Sequence, residues 1–132
     1  MQDEASLFRD ASGPVERFSW GTYLIHGEEH SSSKGAGKDI RLIGTEVTPW
    51  EERHGHRLKK SMITGVYDNG IEVLIIGIGV EGAIEVPDKI RRAVAERGIP
   101  QLIVERTPQA CRAYNALYRE GKRVALLAHG TC

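Results

Sequence analysis

The run Ile71 to Gly82, IEVLIIGIGVEG, constrains the chain most. Six of its first eight residues are apolar, most of them β-branched, and it stops in a glycine-rich turn. Apolar side chains at both alternating sets of positions predict a strand covered on both faces, as in the middle of an α/β sheet. The glycines fall at the strand's carboxyl end, where such sheets usually bind ligands. The 132 residues suffice for one domain with a core that needs no staples.

The flanking sequence supplies the rest of such a sheet. Residues 1–14 are polar and broken at Ser12-Gly13-Pro14, which predicts a flexible lead-in with a helical turn around Leu7 and Phe8. Phe18–Ile25 predicts a strand with a bulge or close backbone approach at Gly21, and Phe18, Trp20, Tyr23 and Ile25 as its anchors. Glu28–Lys38 is a loop by composition, and its GAGK lacks the spacing and following helix of a phosphate loop. Asp39–Gly44 alternates as a strand, and Glu46–Trp50 continues it as an edge because of Pro49. Leu58, Met62, Val66 and Tyr67 predict a helix near Arg57–Tyr67. Beyond the central run, a helix opens near Pro87 and ends at Gly98, and Gln101–Glu105 is a short buried strand. Thr107-Pro108 reads as a hydroxyl cap followed by proline at the first helical position, and Arg123–Ala128 as another central strand.

Charge and composition narrow the classes of function. Lys plus Arg and Asp plus Glu are 18 each, so there is no basic excess for nucleic acid. No apolar run reaches the ~18 residues of a membrane span. The acidic start MQDEASLFRD lacks a signal peptide's layout, and two cysteines are too few for a disulfide framework. These features predict a cytoplasmic protein, and zero net charge with an edge strand leaves self-association open.

Several residues invite a chemical reading. Gly77, Gly79 and Gly82 match the GxGxxG dinucleotide fingerprint, but the next helix starts near Pro87, too late to present its N–H groups to a pyrophosphate. A softer expectation survives. If 71–77 and 101–105 are parallel neighbours, Gly77 and Gly79 lie beside Arg106 and Thr107, a cation next to free helix N–H groups suited to a carboxylate or phosphate. In the bland alternative, Thr107 merely caps its helix and Arg106 is solvated. His54 and His56, with His26, His30, His129 and Cys132, are zinc-ligand types without a supporting CxxC or HExxH, and read as exposed loop histidines. Cys132 reads as tail packing rather than a nucleophile, and Cys111 as a small core residue. Glu51 and Glu52 are badly placed for an acid/base pair, and Asp39 and Glu46 have no visible partner. Trp50 and Tyr118 are candidate interface anchors, with a core role as the alternative. No cofactor or metal is expected.

The chain resembles one family at Trp20-Gly21, Leu74-Ile75-Ile76-Gly77-x-Gly79, Val86-Pro87, Thr107-x-Gln109-Ala110, Tyr114-Asn115-Ala116-Leu117 and His129-x-Thr131-Cys132. This is the MTH-like domain family, which includes the adipogenesis-associated MTH-like domain-containing protein, a mitochondrial complex I assembly factor and many proteins of unknown function. The resemblance spans roughly Arg17 to Cys132 and is closest from Ile71 onward. It implies a single three-layer α/β domain over 15–132, a mixed central sheet with helices on both faces and an N-terminal β-hairpin. It carries over no catalytic residues. The direction of the last strand stays open. Together these readings predict a non-enzymatic binding or assembly module with a protein partner, the alternative being a small-molecule or anion-binding protein that uses the edge near Gly77 and Arg106.

Overall fold

The computed structural model describes residues 6–132; the part of the expected lead-in over 1–5 lies outside them. The chain forms a mixed α/β domain with two sheets and two helices. The first sheet is a four-stranded antiparallel meander of β1 (Ser6–Arg9), β2 (Val15–Ser19), β3 (Thr22–Ile25) and β4 (Glu28–His30). It is larger than the expected hairpin. Leu7 and Phe8 lie in β1 rather than in a helical turn, because Phe8 points into the core and its backbone pairs with Phe18. The expected single strand 18–25 is two, since Gly21 turns the chain at φ +73° and Ser19 pairs directly with Thr22.

The second sheet has five strands: β5 (Asp39–Ile43), β6 (Glu46–Pro49), β7 (Val73–Gly77), β8 (Gln101–Glu105) and β9 (Val124–His129), in the order β6-β5-β9-β7-β8. β6, with Pro49, is an edge as expected. β7 is buried throughout, yet the central position belongs to β9, which is equally apolar on both faces. β7 and β8 are parallel, β9 is parallel to β7 and antiparallel to β5, so the last strand is where the sheet changes sense.

Alternating strand residues feed two apolar clusters. Val73, Ile75, Leu126 and Ala128 pack with Ala110, Cys111 and Tyr114 of helix α2 (Thr107–Arg119) and with Phe8, Phe18 and Tyr23 of the meander. Leu74, Ile76, Ala125 and Leu127 pack with Ile90 and Val94 of helix α1 (Asp88–Glu96) and with Trp50, Leu58 and Met62. At 25 cal/mol per Å², each fully buried aliphatic or aromatic side chain here stabilises the fold by about 1.5–3 kcal/mol.

The helix expected over 57–67 is absent apart from a single 3₁₀ turn at Lys60–Met62. Its apolar residues do face the core, but tertiary bonds take the carbonyls a helix would use. Trp50 Nε1 donates to Met62 O at 2.8 Å, and Arg41 Nε donates to Thr64 O at 2.8 Å. Leu58 N–H is likewise drawn to Glu85 O.

Candidate functional site

The structure brings the four expected anion-site residues together. β7 and β8 are parallel, with Gly77 opposite Glu105, so their carboxyl ends share an edge. Gly77 sits so close to Thr107 that a Cβ on it would lie 2.9 Å from Thr107 Oγ1. Thr107 is fully buried and does not cap its helix; Arg106 holds the cap position without a side-chain bond. The Thr107 hydroxyl instead accepts from Gly79 N–H at 2.9 Å and donates to His129 O at 2.7 Å, joining the β7 turn, α2 and β9. Arg106 is exposed and lies along the turn, its Nε 3.2 Å from where a Cβ on Gly82 would sit.

The backbone donors of this turn are already engaged. Val80 N–H donates to Thr131 O at 2.7 Å, and Glu81 and Ala83 N–H both donate to Cys132 O at 3.1 Å. Gly79, at φ +103°, is pressed against Cys132 so closely that a Cβ there would collide with the Cys132 carbonyl. The tail 129–132 thus lies in the concavity expected to receive an anion. The GxGxxG reading also lacks its helix, since α1 begins at Asp88, six residues past Gly82.

Around that tail lies a polar row not anticipated from the sequence. β5 and β9 are antiparallel with Asp39 opposite His129. Asp39 Oδ1 accepts from His129 Nδ1 at 2.8 Å and from Gly130 N–H at 3.2 Å, and Asp39 Oδ2 accepts from Arg53 Nε at 3.0 Å. Burial opposes ionisation of Asp39, but the His129 hydrogen bond and the Arg53 guanidinium outweigh it and hold its carboxyl below the ordinary value. An ionised Asp39 can only accept, so Nδ1 carries a proton, and in the neutral imidazole Nε2 is the acceptor. That nitrogen lies 3.2 Å from Thr131 Oγ1 and 3.6 Å from Cys132 Sγ. His56 Nε2 is 3.9 Å from the same sulfur. Asp39, expected without a partner, therefore has three. The signal that could have found the row was the antiparallel register, which sets Asp39 at the head of one strand against His129 at the foot of another.

The other nominated residues disperse. Trp50 is 1% exposed with its indole N–H bonded to Met62 O, so it is a core residue and presents no surface anchor. Tyr118 is exposed, stacks on Tyr114 at 6.2 Å and lines an apolar hollow of about 230 Å³ with Ile43, Ile71 and Val124. His54 is exposed with Nδ1 3.2 Å from Glu52 O, and His26 is exposed. His30 is buried, its Nδ1 accepting from Ala36 N–H at 2.9 Å, so the GAGK segment folds around an imidazole. Among the described residues no group of three or more His, Cys, Asp or Glu side chains is arranged to hold a metal ion. Cys111 is fully buried, which pushes its thiol up to about 12. Glu52 bonds Arg41 at 3.1 Å and Thr64 at 3.0 Å, a structural role.

Solved structures with the same fold come from distant sources. A conserved hypothetical protein from Pyrococcus horikoshii OT3 is 18% identical with a TM-score of 0.65, covering 89% of this chain and 98% of its own. An outer membrane protein from Bartonella henselae is 24% identical with a TM-score of 0.72, covering 96% and 99%. A protein from Bordetella parapertussis is 23% identical with a TM-score of 0.63, covering 88% and 93%. Among the described residues of this chain, no helix is long and apolar enough to cross a membrane. Residues 15–129, which carry every strand from β2 to β9 and the Asp39–His129 pair, match the family described as protein of unknown function (DUF498/DUF598), and the chain belongs to that family.

Proposed function

We propose that this domain is a non-enzymatic binding or assembly module that engages another protein. The observation that carries the reading is Trp20. It is 50% exposed on the tight β2–β3 turn, whose Gly21 N–H is bonded to Gly130 O at 2.7 Å. A large aromatic ring exposed on a backbone-tethered turn offers much area for the cost of ordering only two side-chain torsions, which favours an interface anchor. Leu7, 42% exposed, lies at the same end of the meander, because Ser6 pairs with Ser19 next to Trp20. Tyr118 is a second, separate candidate anchor.

The expected anion reading at Gly77, Gly79, Arg106 and Thr107 is the weaker alternative, since the donors there already bond the tail. We take the resemblance to the MTH-like domain family and membership of DUF498/DUF598 to describe one group, whose assembly-factor member supports the module reading. We further read the domain as three layers with a helix on each face of the five-stranded sheet, the two apolar clusters being its support. The two unpaired cysteines suit a reducing compartment, and we place the protein in the cytoplasm. The partner is a protein rather than nucleic acid or membrane, a second copy of the chain included.

Crosslinking at native expression level, comparing wild type with Trp20→Ala, tests the reading. The expected result is one stoichiometric partner captured by wild type and lost from a variant of unchanged melting temperature. Equal capture by both proteins, or no partner for wild type, would remove the support.

A further inference from the structure

We propose that Asp39, His129 and Cys132 form a thiol site that exchanges with small disulfides and carries a reversible mixed disulfide on Cys132. The inference is independent of the partner reading and rests on different residues.

The geometry supplies a base for the thiol. The His129 side chain is 4% exposed and cannot swing away, and Asp39 holds the imidazole from behind through Nδ1. Its other nitrogen, Nε2, faces Cys132 Sγ at 3.6 Å, a sulfur-to-nitrogen hydrogen-bonding distance, with the Thr131 hydroxyl 3.2 Å away on the same nitrogen. The order carboxylate, imidazole, nucleophile is that of a base-activated thiol. Cys132 is itself half-buried, so the sulfur is held in place and reachable from solvent. Arg53, on the far side of Asp39, fixes the carboxylate against rotation at 3.0 Å.

The surroundings choose the electrophile. Acyl transfer requires hydrogen-bond donors aimed at a developing oxyanion. The N–H groups of the turn that holds the tail, those of Val80, Glu81 and Ala83, are already bonded to the Thr131 and Cys132 carbonyls. Attack on a disulfide needs no such donors; it needs a thiolate, an in-line approach and a proton for the leaving sulfur. His129 Nε2 accepts the Sγ proton. Sγ then attacks one sulfur of the disulfide, a Cys132–sulfur bond forms, the original sulfur–sulfur bond breaks, and the departing thiolate takes the proton back from His129. The small disulfide is the oxidant, and one of its halves leaves reduced. His56 Nε2, exposed, lies 3.9 Å from the same sulfur.

The product is stable toward internal resolution. The second cysteine, Cys111, is fully buried in the core cluster with Phe18 and Tyr114 and cannot attack the adduct without unfolding. A mixed disulfide on Cys132 therefore persists until an external thiol removes it.

Oxidised glutathione serves as the probe, with adducts located by intact-mass and peptide mass spectrometry at neutral pH. Wild type is expected to form one adduct, on Cys132, at least about tenfold faster than free cysteine reacts. His129→Gln, and Asp39→Asn through the loss of the fixed tautomer, are expected to lower that rate about tenfold or more. Cys111 reports the fold in the same experiment, because its labelling signals unfolding. A wild-type rate no faster than that of free cysteine overturns the proposal. So does an unchanged rate in His129→Gln with Cys111 still unlabelled. If both variants label Cys111, the wild-type rate alone decides.

Discussion

Replacing Thr107 by valine keeps its shape and deletes one oxygen. That oxygen ties the β7 turn to the end of β9, accepting from Gly79 N–H at 2.9 Å and donating to His129 O at 2.7 Å, with the residue fully buried. Valine leaves a donor and an acceptor unsatisfied in the interior, each at about 1–3 kcal/mol, for a combined cost of about 2–5 kcal/mol. That is a large part of the roughly 5–15 kcal/mol of total stability typical of a small domain. Thr107→Ser keeps both bonds and loses one methyl, at about 1 kcal/mol. Urea unfolding of the three proteins, followed by circular dichroism, separates the two contributions when the slopes agree. The expected order of midpoints is wild type, Thr107→Ser, then Thr107→Val well below. Thr107→Val within about 0.5 kcal/mol of wild type, or at least as stable as Thr107→Ser, would refute the assignment of the hydroxyl as the tie.

Three further outcomes follow from the same geometry. Asn115 is buried, with its amide accepting from Val15 N–H at 2.9 Å and donating to Val15 O at 2.8 Å, so Asn115→Leu should destabilise by about 2–4 kcal/mol in urea titration. Gly79→Ala places a methyl against the Cys132 carbonyl at a positive φ, and should lower the melting temperature and raise hydrogen exchange at Val80, Glu81 and Ala83. Asp39's carboxyl is held below its ordinary value, so its stabilising share is complete above the unfolded value of about 3.9 and is lost as pH falls through the lower folded value. Wild type should therefore lose stability more steeply than Asp39→Asn on acidification from about pH 5 to pH 3.

The elements with one dominant local signal were legible. β7, β9 and β8 follow from their apolar runs, and α2 from Thr107-Pro108 at its start and Gly121 past its end. The helix over 57–67 was misread because apolar spacing says which residues are buried, not which backbone groups bond. Trp50 and Arg41, distant in sequence, decide that by taking Met62 O and Thr64 O. Trp50 itself was ambiguous because burial of an indole depends on a partner for its N–H, which only the fold supplies. The gathering of Gly77, Gly79, Arg106 and Thr107 was foreseen from parallel pairing. What fills the space between them was not, because the tail arrives there only once β9 lies between β5 and β7. The Asp39–His129 pair, separated by 90 positions, depends on the same placement.

The central claim is that a solvent-facing Trp20 anchors a protein partner. Its most direct measurement is isothermal titration of the partner captured by crosslinking against wild type and Trp20→Ala, both shown to be folded. The account predicts a loss of about 2 kcal/mol or more, roughly thirtyfold in Kd, on removing the indole. Equal affinity for the two proteins would contradict it.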